Sequence, residues 1–280
     1  MRLTTICRDG REAAAIVTPE GPVPVGGLDG FGGGGADLFS LLESGRFHEL
    51  KDLYDRGEVM GRAVPPEGVE PGPLYRRPRK IWGIGLNYVE HAGDLSETAP
   101  TGEPASFMRP DTTVIGPGDE VVLPPQSERV TAEGELAVVI GREARDVSEE
   151  EAPRFVAGFA TVLDMTAEDI LRRNPRYLTR SKSFDTFFSF GPELVTPDEV
   201  ESVEGLEVST VLNGEVLRAN TVLNMTFSPY WLVAFHSRVM TLLPGDIIST
   251  GTPGAVVIRD GDVAGCRITG FRPLLNPVVR

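Results

Sequence analysis

The chain has 280 residues, 40% hydrophobic and 24% charged, which bounds it to one large globular domain or a large and a small one. A formal net charge of −14 leaves no Lys/Arg stripe to release counterions from a phosphate backbone, so nucleic-acid binding is not expected. There is no apolar run of about eighteen residues and no signal-peptide pattern at Met1-Arg2-Leu3-Thr4-Thr5-Ile6. With Cys7 and Cys266 far apart, the chain reads as a cytoplasmic protein with reduced thiols and no membrane partner.

Residues 1–75 read as a small α/β lobe and linker. Strands are expected at Arg2 to Ile6 and Ala13 to Val17, then a glycine-rich loop from Gly26 to Gly35. Helices follow at Asp37 to Glu43, with Asp37 as N-cap, and at Arg46 to Asp55. Gly30, Gly32 and Gly35 satisfy GxGxxG formally. The preceding Pro24-Val25-Gly26-Gly27-Leu28-Asp29 is not the apolar strand that a dinucleotide loop needs, so a flexible loop is the better reading. The tract Val64 to Pro73 has linker composition.

Residues 76–280 form the expected body. Short β-branched runs lie at Lys80 to Gly85, Glu120 to Leu123, Glu135 to Ile140, Phe155 to Asp164, Glu207 to Leu212 and Asp246 to Thr250. Asn213-Gly214 signals a type I′ hairpin. Helices are expected only at Met165 to Arg173 and at Phe227 to Met240, with Pro229 in the first turn. Strand and helix do not alternate, which argues for a β-rich α+β roll over a Rossmann or TIM architecture.

The most informative stretch is Thr131-Ala132-Glu133-Gly134-Glu135-Leu136-Ala137-Val138-Val139-Ile140-Gly141. Strand side chains at i and i+2 share a face, so Glu133 and Glu135 lie side by side and repel unless a cation neutralises them. Gly134 between them leaves the opposite face open. Asp164 ends the next apolar run and adds a third oxygen donor. Together the three suit Mg²⁺ or Mn²⁺; alternatively they are solvated strand-end acids. His91 and Asp94, three apart in a glycine-rich loop, form a candidate imidazole–carboxylate base. His236 reads as a packed core residue, and His48 receives no role. Lys182 follows Arg172, Arg173, Arg176 and Arg180, a local basic cluster suited to an anionic substrate. The stretch Ile248-Ser249-Thr250-Gly251-Thr252-Pro253-Gly254, a strand and a tight turn, offers hydroxyls and N–H groups to a carboxylate.

In order, the chain carries Gly85-Leu86-Asn87-Tyr88 with His91, Gly116-Pro117-Gly118-Asp119, Glu133-x-Glu135 and Asp164-Met165-Thr166-Ala167. Lys182-Ser183-Phe184-Asp185-Thr186, Asn213-Gly214-Glu215, Pro244-Gly245-Asp246 and Thr250-Gly251-Thr252-Pro253 follow. In this it resembles the fumarylacetoacetate hydrolase family, acylpyruvase-like branch, from about Lys80 to Val278. The resemblance implies a mixed β-roll catalytic domain behind a small N-terminal domain, usually as a homodimer. It implies Mg²⁺ (or Mn²⁺) on Glu133, Glu135 and Asp164, water activation by His91 with Asp94, and anion stabilisation by Lys182. Asn87, Tyr88, Arg109, Thr250 and Thr252 become the expected substrate contacts.

The implied reaction is hydrolysis of a C–C bond in a 2,4-diketo acid through a stabilised enolate. Decarboxylation, hydration or isomerisation of a 2-keto dicarboxylic acid are alternatives on the same site, and a non-catalytic family member is a third. Asp94 stands where relatives often carry Glu, and Leu178 where they carry Trp. Glu168 and Leu171 stand where they carry Arg and Gln, and if Glu168 points inward this predicts a less cationic pocket that prefers an apolar monoanionic acylpyruvate to oxaloacetate; if Glu168 instead points to solvent or pairs with Arg172, the preference vanishes.

Overall fold

The structure, a computed structural model, describes residues 1–8, 10–32, 37–65, 67, 69–89 and 100–280. Two long strands, Val130–Ile140 and Val156–Ala167, form its centre as an antiparallel pair. Both are almost continuously apolar, and every residue of the second is buried, as expected of strands covered on both faces. Their register sets Glu133 opposite Asp164 and Glu135 opposite Val162.

Among the described residues the strands make a 12-stranded and a 5-stranded sheet. In the larger one, Val130–Ile140 is paired on its other side twice, by Ile247–Ser249 along its second half and by Ala255–Ile258 along its first. Phe188–Val195 flanks Val156–Ala167 and continues into Arg2–Arg8, with Leu3 opposite Leu194. The front segment therefore belongs to the same sheet as the body. One apolar cluster joins Leu3, Ile16, Leu38, Leu42 and Leu50 to Val139, Phe190 and Ile247.

The smaller sheet runs Glu215–Thr221, Glu207–Leu212, Val263–Ile268, Leu274–Val279, Val121–Val122. Its hairpin turns at Asn213 (φ 51°) and Gly214 (φ 87°), the paired positive angles of a type I′ turn. This sheet lies against the back of Val130–Ile140. A Cβ on Gly134 would come within 2.8 Å of Ser209 O and 3.0 Å of Cys266 Sγ. The Gly134 N–H donates to Thr210 Oγ1 at 2.9 Å. The face behind the two glutamates, expected to be open, is thus filled by the second sheet. Glycine is needed there for close approach.

Asp37 caps Leu38–Glu43 by accepting from Ser40 N at 2.9 Å, and Arg46–Asp55 is helical as expected. The helix expected at Phe227 to Met240 spans Pro229–Val239, capped by Ser228. Two expectations need correction. Met165, Thr166 and Ala167 continue the strand opposite Ala132, Thr131 and Val130, so only Glu168–Arg173 is helical. Ladder pairing overrides the helical spacing there. The stretch before Lys182 is a 3₁₀ turn, Pro175–Tyr177, and a short helix, Leu178–Lys182. Among the described residues no helix is long and apolar enough to cross a membrane.

Candidate metal centre

Glu133, Glu135 and Asp164 each offer a carboxylate oxygen, and these atoms lie within 4.8 Å of one another. Period two puts the glutamates on one face of their strand, and the register adds Asp164 from its neighbour. Glu133 Oε1 accepts from Thr166 Oγ1 at 2.9 Å, and Oε2 from Lys182 Nζ at 2.9 Å. Asp164 Oδ1 accepts from Lys182 Nζ at 2.6 Å and from Arg109 Nη2. Asp164 Oδ2 is buried with no hydrogen-bond partner among the described residues. Glu135 Oε2 accepts from Ser249 Oγ and, at 2.9 Å, from Gly251 N–H. An all-oxygen donor set with a desolvated, unpaired carboxylate oxygen fits a hard divalent cation.

The electrostatics agree with that fit. Burial, then Asp164 and Glu133, push the Glu135 carboxyl up to about 8. Burial also raises Asp164, with Arg109 and Lys182 pulling against it. Burial disfavours the Lys182 ammonium, but Asp164 and Glu133 outweigh this and hold its pKa above the ordinary value. Lys182 is therefore a protonated cation wedged between two acids.

The other expected site residues are distributed unevenly. His91 and Asp94 lie outside the described residues. Asn87 is buried, and its amide is committed to backbone: Nδ2 donates to Thr250 O (2.8 Å) and Phe227 O (3.0 Å), and Oδ1 accepts from Phe227 N–H (2.9 Å). Tyr88 is fully buried, its hydroxyl without a hydrogen-bond partner among the described residues and raised by burial and by the Glu135 charge. Thr250 Oγ1 donates to Leu136 O, and Thr252 Oγ1 to Gly254 O. The carboxylate gripped by this turn is the protein's own Glu135, through Gly251 N–H. Arg109, also expected at the substrate, is buried and paired with Asp164.

Two charge expectations also change. Glu168 is 8% exposed and pairs with Arg129 and, at 2.9 Å, with Arg172. Its charge is compensated, which removes the physical ground for repelling a second substrate carboxylate. Of the basic cluster, Arg172 is held by Glu168, Arg173 by Asp169 at 3.1 Å, and Arg180 by Gln126 at 3.1 Å. His236 is a core residue, packed 4.6 Å from the Trp82 ring and bonded to Ser106 Oγ. His48 lies 2.9 Å from Arg142 Nε, away from the cluster.

Sequence reasoning gave Thr166 no role, whereas the hydroxyls and N–H groups of the Ser249–Gly251 turn were expected to grip a carboxylate and do hold that of Glu135. Thr166 was findable, since it stands two residues after Asp164 on one strand and shares its face. Ser249 arrives through a long-range pairing, opposite Ala137.

A β-rich, two-sheet protein with an acidic oxygen triplet on its central strands is a metalloenzyme-like scaffold. The chain belongs to the fumarylacetoacetate hydrolase family: residues 80–279 match the fumarylacetoacetate (FAA) hydrolase C-terminal family. It is 39% identical over 212 residues to the mitochondrial oxaloacetate tautomerase FAHD2A of Homo sapiens, covering 72% of this chain and 67% of the relative. The crystal structure of a 5-carboxymethyl-2-hydroxymuconate delta-isomerase from Mycobacterium smegmatis matches with TM-score 0.79 and 31% identity, over 100% of this chain and 99% of that one. The structure of maleylpyruvate hydrolase from Sphingobium sp. SYK-6, in complex with manganese (II) ion and pyruvate, matches with TM-score 0.83 and 28% identity over the same shares. These homologues are enzymes, and the fold is the family's.

Proposed function

We propose that the protein is a divalent-metal-dependent enzyme that acts on a small 2-oxo acid by stabilising its enol or enolate form. The convergence of Glu133, Glu135 and Asp164, with Lys182 against two of them, carries this reading. These three carboxylates would hold Mg²⁺ or Mn²⁺. When bound, that cation would supply Lewis-acid charge that favours the enolate of a 2-oxo acid.

The chain's own groups do the rest. Three carboxylates against Arg109 and Lys182 leave one net negative charge, which a divalent cation turns into one net positive charge. That balance favours an anionic substrate, and Lys182, which contributes to it, lies where it can favour developing negative charge. A preorganised ammonium in a buried site does this without reorientation. Asp164 and Glu133 favour the Lys182 ammonium, and in this frame it acts as a charge stabiliser.

The reaction favoured is keto–enol interconversion of a small dicarboxylic 2-oxo acid such as oxaloacetate. The similarity to an oxaloacetate tautomerase supports it, and the pairing of Glu168 removes the objection to a second carboxylate. Hydrolysis of a 2,4-diketo acid is the second reading, supported by the likeness to a maleylpyruvate hydrolase. There His91, with Asp94 as the acidic partner the family resemblance implies, would take a proton from water as that water adds to the distal carbonyl. The C–C bond then breaks, and its electrons remain on the 2-oxo acid half as an enolate, which is protonated. The test strips the protein with chelator and reloads it with Mg²⁺ or Mn²⁺. Oxaloacetate keto–enol exchange and acylpyruvate cleavage are then followed by ultraviolet absorbance. Faster metal-dependent exchange on oxaloacetate supports the first reading, and preferential cleavage supports the second. Absence of metal-dependent turnover on either overturns both.

A further inference from the structure

Arg109 ends the strand Ala105–Arg109, yet its side chain is withdrawn from solvent completely. Four of its five N–H groups are spent at the cluster. Nη1 donates to Lys182 O and, at 3.2 Å, to Phe187 O; Nη2 donates to Asp164 Oδ1 and, at 3.1 Å, to Met165 O. The rings of Phe107 and Phe188 stand 5.6 and 5.7 Å from the guanidinium carbon, within cation–π range. The planar fork therefore bridges a carboxylate, its own strand at Met165, and the segment that delivers Lys182.

Two oxygens of one carboxylate are thereby made unequal. Asp164 Oδ1 is taken by Arg109 and Lys182, whereas Oδ2 is buried and has no partner among the described residues. A buried acceptor without a partner is costly, and a cation at the triplet would satisfy it. We propose that Arg109 is a positioning residue: by holding Oδ1 it fixes the Asp164 side chain so that Oδ2 alone is offered to a divalent cation. The same fork, through Lys182 O, sets where the ammonium lies relative to that oxygen. This rests on the metal reading of the triplet and adds which atom ligates and what aims it. Lysine could keep the charge but not the fork, because one ammonium has three donors on one nitrogen.

Two measurements test it. In a crystal of the wild-type protein with Mn²⁺, anomalous scattering should place the ion on Asp164 Oδ2, with Oδ1 still on Arg109; ligation by Oδ1 or by both oxygens overturns the proposal. Arg109→Lys, which conserves charge, should raise the Mn²⁺ dissociation constant about tenfold by calorimetry and broaden the bound-Mn²⁺ resonance spectrum, consistent with a charge-conserving loss of geometry. Arg109→Lys that is folded by circular dichroism and binds Mn²⁺ with wild-type affinity and spectrum also overturns it. If that variant does not fold, the wild-type crystal decides alone. Wild-type protein that binds no Mn²⁺ at all overturns the metal reading itself, and this proposal with it.

Discussion

Glu133 stands directly opposite Asp164 across the central antiparallel pair, and one ammonium, that of Lys182, reaches both carboxylates at 2.9 and 2.6 Å. The lysine occupies part of the charge that a divalent cation would otherwise neutralise. Cation and ammonium therefore share these two acids, and their effects on binding and turnover should separate on mutation.

Lys182→Met should bind Mg²⁺ or Mn²⁺ at least as tightly as wild type, since a competing positive charge is gone. Turnover should nevertheless fall by about 10²–10³, the usual loss when one preorganised stabiliser of developing negative charge is removed. Calorimetry and steady-state rates on the same preparation check both halves. Unchanged turnover would show that Lys182 has no part in the chemistry.

Glu135→Ala removes a buried anionic donor and should weaken divalent-cation binding by orders of magnitude, because affinity for hard cations follows ligand charge. Calorimetry that returns a wild-type Mg²⁺ affinity for this variant would remove Glu135 from the ligand set.

Acidity gives a signed expectation. The Glu135 carboxyl rises from 4.5 to about 8 in the metal-free fold, chiefly through burial. The folded state thus holds a proton that the unfolded chain releases, and stability must decline as pH rises through this window. Asp164, also raised by burial, acts in the same direction. Chelated protein should melt at a lower temperature at pH 8 than at pH 5.5, and Mn²⁺ should lift the melting temperature more at pH 8. A melting temperature that rises with pH in the chelated protein contradicts the assignment.

Gly134→Ala should destabilise the fold by about 1–3 kcal/mol, the cost of overpacking a filled interior. Its methyl would meet Ser209 O at 2.8 Å and Cys266 Sγ at 3.0 Å. Urea denaturation reads the loss, and a variant as stable as wild type would mean that the second sheet yields freely there.

His91→Ala separates the two reactions. Under hydrolysis, loss of the water-activating base should cost about 10²–10⁴ in acylpyruvate turnover. Cleavage near the wild-type rate in that variant would exclude His91 as the base.

The glutamate pair was legible because period two is local: Glu133 and Glu135 needed only to share a strand. The oxygen donors of the next strand were half legible. Asp164 was visible as the end of an apolar run, but its position opposite Glu133 depends on a register that no short window carries. The same register misled the reading of Met165 to Ala167, whose helical spacing is overridden by partners at Val130 to Ala132. The pairing of Glu168 with Arg172 was legible at four residues' spacing, but the placing of Arg109 against Asp164 and of Glu168 against Arg129 was not, for one reason. A long charged side chain goes where its partners are, and those partners, Asp164 and Arg129, lie 55 and 39 residues away.

Each acidic donor stands on a strand that is hydrogen-bonded along both flanks, and at Gly134 the backing sheet touches the donor strand itself. The acidic triplet is thus part of the masonry, borne on paired strands and not on loops. Chain replaced around such a triplet changes which proton or carbon–carbon bond is moved while the electron-withdrawing centre stays where it is. A tautomerase, an isomerase and a hydrolase can in this way stand on one foundation.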